Sequence, residues 1–187
     1  MDESEGNVDK VLCFIQGNPG SHLRRIKREM GISMGTVQYH LDKLEKMGRV
    51  TSTRRGLYKY YFPAGLFREN EKDILEVLTH ETARKILMFI IEQNSPTQTD
   101  IVKTIKISAA SVNWHIRRLI SFKIIYETRD GKYKRYQLTG GNTNYSKYIV
   151  SLLKNYYPSI WDNWSNRLAE MFLSLSIKEE EDNDNNR

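Results

Sequence analysis

The 187-residue chain holds one cysteine and four prolines. A single thiol forms no intramolecular disulfide, and Cys13 lies inside the apolar-periodic run VLCFI, where a free cysteine is expected to fill core space. Nowhere do apolar residues continue for the roughly 18 positions of a membrane span. The acidic opening MDESEGNVDK also lacks the charged-then-apolar layout of a signal peptide. A cytoplasmic protein without membrane contact is expected. There is no Gly-rich phosphate loop, no nucleophile elbow and no plausible pair of catalytic carboxylates, so the chain is expected not to be an enzyme. His40 and His115 have no Cys, His or Asp cluster around them at ligand spacing, and neither metal nor cofactor is expected.

Acidic residues are outnumbered. Against 29 Lys and Arg stand 23 Asp and Glu, a net charge of +6 that favours a polyanionic partner. The excess is not spread evenly. Residues 8 to 63 align without a gap on residues 83 to 138 at an offset of 75, pairing Leu12 with Leu87, Ile15 with Ile90, Ile26 with Ile101, Val37 with Val112 and Leu44 with Leu119. His40 falls on His115, and Arg54, Gly56, Tyr58 and Lys59 fall on Arg129, Gly131, Tyr133 and Lys134. Each copy carries eleven Lys and Arg against four Asp and Glu, a net +7, while the residues before, between and after them are acidic or near neutral. The positive charge therefore belongs to the repeated units, as a nucleic-acid-facing module requires.

Within the first unit, Val8, Val11, Leu12 and Ile15 have the spacing of a helix facing a core. A second helix is predicted through SHLRRIKREM, with Ser21 as its N-cap and Gly31 as its end. Ser33 caps a third, over residues 34 to 47, whose inward stripe is Val37, Leu41 and Leu44. RVTSTRRGLYKYYFP then alternates like a two-stranded hairpin with a basic loop. The second unit repeats this order, which predicts a mainly α chain with small β-hairpin wings. Its expected parts are two tandem winged helix-turn-helix domains at 1–63 and 83–139, a helical connector at 64–82, a C-terminal helical segment at 140–177 and a disordered acidic tail at 178–187.

ISMGTVQYHLDKLEKMGRV followed by GLYKYYF resembles the third helix and wing of archaeal winged-helix transcription regulators related to the MarR and ArsR groups, particularly their two-domain members. Both copies carry the pattern, and together they cover about 70 per cent of the chain. ILEVLTHETARKILMFI also resembles the start of ArsR-type domains. The resemblance implies that the third helix enters the major groove of double-stranded DNA while the wing touches the flanking backbone. The second copy departs from it at Ala110 and Lys123, where the first has Gly35 and Gly48. The cysteine-containing metal box of some ArsR relatives is absent.

With Val37, Leu41 and Leu44 inward, helical geometry turns Met34, Gly35, Gln38, Tyr39 and Asp42 outward. Gln38 suits bidentate pairing with adenine, Gly35 permits close approach, and Thr36 or Tyr39 can donate to phosphate. Ser33, His40 and Lys43 complete the set on this helix. The second copy offers Ser108, Ser111, Asn113 for adenine, Arg117 for guanine, Arg118 beside it, and Trp114, which suits either DNA or a protein interface. Arg24, Arg25 and Arg28 on the second helix are expected on backbone phosphates. Arg54, Arg55 and Lys59, with Arg129, Lys132, Lys134 and Arg135, form basic wing edges suited to phosphate or the minor groove, or to guarding a sheet edge against aggregation.

Beyond GGNTN the chain reads as two amphipathic helices broken at Pro158. Tyr145, Tyr148, Ile149, Leu152 and Tyr156 line one, and Ile160, Trp161, Trp164, Leu168, Met171, Phe172 and Leu175 the other. That surface has to pack on the same chain or on a second copy, and a homodimer through these helices is expected. The sequence favours a DNA-binding transcription regulator over a winged-helix protein-interaction scaffold, because a scaffold has no use for +7 in each repeat. An RNA-binding module would want exposed stacking aromatics on a sheet. A small-molecule effector leaves no legible mark.

Overall fold

The computed structural model of the chain describes residues 3–141, 143–163 and 165–166, with side chains from residue 6 onward. Helix α1 (Glu3–Gly17) buries Val8, Val11, Leu12 and Ile15 along one stripe. Cys13 lies off that stripe and is exposed, which corrects its expected place in the core. Helix α2 (Leu23–Met30) ends where Gly31 turns left-handed at φ 68° and donates its N–H to the Lys27 carbonyl. Helix α3 (Met34–Lys46) buries Val37, Leu41 and Leu44 against α1 and α2.

The start of α2 differs from expectation. Ser21 is not its cap: Ser21–His22 forms a short strand, β1, and His22 Nδ1 accepts the capping hydrogen bond from Arg25 N at 3.3 Å. Fully buried, Ser21 instead donates from Oγ to the Asn18 carbonyl at 2.8 Å. Strand β1 pairs antiparallel with β3 (Tyr58–Pro63), which also pairs with β2 (Val50–Arg55), giving the order β1-β3-β2. Gly56 and Leu57 make the two-residue turn between β2 and β3, with Gly56 at φ 57°.

Successive residues of a strand point to opposite faces, and β3 uses both. Tyr61, 1% exposed, enters the core of the first unit, whereas Tyr60 and Phe62 enter the core of the second. That second core begins with α4 (Glu69–Leu78), which buries Ile74, Leu75, Val77 and Leu78, and continues through α5 (Glu81–Gln93), α6 (Gln98–Ile105) and α7 (Ala109–Ser121). The wing of this unit is β4 (Ile125–Asp130) paired with β5 (Tyr133–Leu138) in a two-stranded sheet. Pro96 stands where the first unit has Ser21, and a residue without an N–H cannot add a full strand. Only an isolated bridge between Thr97 and Arg135 is left there.

The apolar stripe of α8 (Asn144–Tyr156), expected as a dimer surface, is covered within the chain. Ile149, Leu152 and Leu153 are buried in the second core, and the Tyr156 ring meets Phe67 at 5.7 Å, itself against Phe62. The helix stops at the proline, as expected: Tyr157 leaves the helix, and helical residues resume at Pro158, which suits a first turn where its missing N–H has no partner to lose. Ile160 and Trp161 are half-buried on the same core. Trp164, Leu168, Met171, Phe172, Leu175 and the 178–187 tail lie outside the described residues.

Gly20 shows how closely α4 approaches the first sheet. Its φ is 80°, and a Cβ there would stand 3.3 Å from the Leu75 carbonyl carbon and 3.3 Å from a Phe62 ring carbon. Gly31, at φ 68°, has nothing within 4 Å. Gly31→Ala should therefore cost only backbone strain, about 1 kcal/mol. Gly20→Ala should cost more, because the collision adds to the strain. Thermal unfolding of the two variants checks this, and equal losses would contradict the close packing of α4 on the first sheet.

Candidate nucleic-acid interface

Helices α3 and α7 begin alike. Ser33 Oγ accepts from Thr36 N at 3.1 Å and Ser108 Oγ from Ser111 N at 3.1 Å, each satisfying a backbone donor that a helix start leaves free. The side chains Thr36 and Ser111 close on the same serines at 2.7 and 2.9 Å. These four hydroxyls hold the first turns in shape. Beyond the caps, Met34, Gly35, Tyr39 and Asp42 are exposed on α3, and Ala109, Ala110, Trp114 and Arg117 on α7. Gln38 and Asn113 are half-buried at the edges of these faces, and the Gln38 amide donates to Asp42 Oδ1 at 2.8 Å. Each helix thus presents a face without acidic cover except at Asp42.

His40 leaves the candidate set. It is 1% exposed and faces inward, with neither ring nitrogen hydrogen-bonded, so it cannot reach a phosphate. Burial and then Lys43 push its pKa below the usual histidine value and keep the ring neutral. His115, in the equivalent place, is half-buried beside Trp114, and burial followed by Arg118 lowers its pKa as well.

The basic residues divide into two groups. Arg24, Lys43, Arg54, Arg117, Arg129 and Lys132 have no acidic partner among the described residues; Arg24 rests over the Tyr58 ring at 6.0 Å and Lys132 over Tyr133 at 5.3 Å. Arg28 pairs only with exposed Glu29, a contact of little energy. The others are engaged. Arg25 turns to Asn18 Oδ1 at 3.1 Å, Lys59 pairs with Glu45 at 2.7 Å, and Lys134 with Glu127 at 2.9 Å. Arg135 holds Asp130 at 2.8 Å and the Ser95 carbonyl at 2.9 Å.

Arg55 and Arg118 are both drawn onto the connector helix α4. Arg55 bonds Asp73 on α4, and Arg118 Nη2 donates to Glu76 Oε1 at 2.7 Å on the same helix. Arg118 was expected beside Arg117 on the DNA face, but the step of about 100° between consecutive helix residues sends it against the connector. Glu76, 4% exposed, has its pKa raised by burial in spite of Arg118 and Arg55. Sequence reasoning passed over Glu76, whose partner lies 42 residues away. It also passed over Leu57, 92% exposed at the tip of the first wing. A lone leucine in a hairpin turn was the available signal, and Lys132 is its basic counterpart in the repeat.

Comparison with known proteins follows the same division. A family model described as an N-terminal HTH domain matches residues 7–75, and one described as winged helix-turn-helix DNA-binding matches residues 79–121. An HTH-type transcriptional regulator of Methanocaldococcus jannaschii is 24% identical over 123 residues, covering 65% of this chain and 30% of its own. The chain thus spans less than a third of that relative. Among solved structures, reduced HlyU of Vibrio cholerae shares 16% identity at TM-score 0.41, over 47% of this chain and 88% of its own. The transcriptional repressor PagR of Bacillus anthracis shares 21% at TM-score 0.39, over 46% and 93%.

His80, between α4 and α5, meets Arg118 Nη1 through Nε2 at 2.9 Å, and its pKa is pushed down to about 4 by burial, then Arg118 and His115. An unfolded chain takes up that proton near 6.5, the folded one only near 4. Stability is therefore fully present above pH 6.5, falls as the pH drops towards 4 and levels off below. His22, His40 and His115 act in the same direction, and Glu76 in the opposite one. Denaturant unfolding across this window should show the decline, with His80→Gln making it shallower; an unchanged slope in the variant would contradict the assignment. The matched repeats and the order of helices and hairpin in each make the chain two winged helix-turn-helix domains in tandem, joined by α4 and followed by α8.

Proposed function

We propose that the chain is a sequence-reading transcription regulator that binds double-stranded DNA, with α3 and α7 in the major groove and the two wings on the flanking backbone. The observation that carries this is the pair of identically capped helices, each with an exposed and largely acid-free outer face, on units that hold +7 each. The matched winged helix-turn-helix family and the regulator named among the relatives support it.

In this reading Gln38 and Asn113 address adenine and Arg117 guanine, while Gly35 and Ala110 let the backbone approach. Thr36 and Tyr39 can donate to phosphate. Arg24, Arg28, Lys43, Arg54, Arg129 and Lys132 neutralise phosphates. Trp114, 53% exposed and with Arg118 5.4 Å over its ring, is the residue that a protein-interaction scaffold would use instead. The reading assigns no catalysis and a cytoplasmic location. A homodimer through the C-terminal helical segment belongs to it too.

Selection of bound fragments from random duplex DNA tests the proposal. The intact protein should recover a motif, Gln38→Ala should relax one set of positions, and Arg117→Ala a different set, each losing about 1–3 kcal/mol of discrimination. Binding should fall steeply with salt, by about 0.9 in log affinity per phosphate contact per log unit, or about 5 for the six cations assigned to phosphates. No recovered motif and a flat salt response would overturn it.

A further inference from the structure

Glu76 touches both halves of the molecule. Its Oε1 accepts from Arg118 Nη2 on α7 at 2.7 Å, and its Oε2 lies 3.7 Å from Arg55 Nε at the end of the first wing. Arg55 is held again by Asp73, one turn earlier on α4, and Arg118 by His80 at 2.9 Å. The Glu76 carboxylate is 6% exposed and Arg118 19%, so that pair lies where solvent screens it little, while Arg55, 43% exposed, reaches the carboxylate from the surface. At the offset of 75 Arg118 corresponds to Lys43, which has no acidic partner among the described residues, and Glu76 has no counterpart in the repeated unit. The second reading helix is thus anchored to the connector and the first wing in a way the first reading helix is not.

We propose that Glu76 is a positioning residue that fixes α7 relative to the first wing, and so sets the spacing at which the two third helices read DNA. This rests on the DNA-reading function proposed above. Arg118 is the neighbour of Arg117 and one turn from Trp114, so its pairing with Glu76 ties the part of α7 that carries the outer face to the connector. Buried Tyr60 and Phe62 hold the same wall in contact but are non-directional. A carboxylate hydrogen-bonded to one guanidinium, with a second 3.7 Å away, is directional, and favours one arrangement over neighbouring ones.

The test is selection from random duplex DNA with the full chain, scored for the two half-site motifs and for the number of base pairs between them. The wild type should give one spacer length. Glu76→Gln should recover the same two motifs over a spread of spacers. Its affinity for the best wild-type site should fall at least tenfold, while that for an isolated first half-site stays within about twofold. A folded Glu76→Gln protein that keeps the single spacer and full affinity would overturn the proposal. Should that variant fail to fold, Glu76→Leu combined with Arg118→Met fills the space without charge, and a retained single spacer in it would overturn the proposal equally. A wild type that selects only one half-site motif refutes the positioning role while leaving DNA reading by one unit intact. A wild type that selects none removes both.

Discussion

Strand β3 is shared between two cores, and the rest of the structure depends on that. Because side chains alternate across a strand, Tyr61 closes the first unit while Tyr60 and Phe62 close the second. The sheet of the first wing is consequently an internal wall, with α4 packed on its far side closely enough that a Cβ at Gly20 would stand only 3.3 Å from Leu75 and Phe62. Emptying one such position, Phe62 for instance, is a loss of about 3–5 kcal/mol, comparable to much of a small domain's net stability. A connector held this way is part of the fold, and the two units are oriented by packing instead of by a flexible tether.

Charge is arranged on that frame in two layers. Arg118 and Glu76 lie between the units with exposed Arg55 at their rim, and taking the first two charges out of water cancels much of their attraction. The raised pKa of Glu76 reports that balance: burial outweighs two guanidiniums. Such a group adds little net stability but is costly to leave half-paired, which suits it to fixing geometry. The outer layer consists of cations with no acidic partner among the described residues, at Arg24, Lys43, Arg54, Arg117, Arg129 and Lys132. The +7 of each repeat therefore overstates what faces a partner.

Much of the fold was legible because the repeat shows twice what each unit shows once. Helix order, the Ser33 and Ser108 caps and both hairpins follow from local spacing and turn chemistry, which act over a few residues. What could not be read depends on distant partners. Strand β1 exists only because Tyr60 and Tyr61 pair with it, about forty residues on, and that pairing takes Ser21 from its expected role as a cap. Cys13 sits within an apolar run but off its helical stripe, so a run of residue types misled where periodicity would not have. At the candidate site the outward faces of α3 and α7 follow from helical geometry. So does the burial of His40, three residues after Val37 and four before Leu44 on the inward stripe, whereas the loss of Arg118 to Glu76 is decided by what packs against it.

Hydroxyl-radical footprinting of the full chain on a selected duplex measures the central claim most directly, that one chain presents two oriented helix-and-wing surfaces to one DNA. The account predicts two protected patches at a constant separation on every bound molecule, both lost together as salt is raised. A single patch of protection, or two patches whose separation varies from site to site, would contradict it.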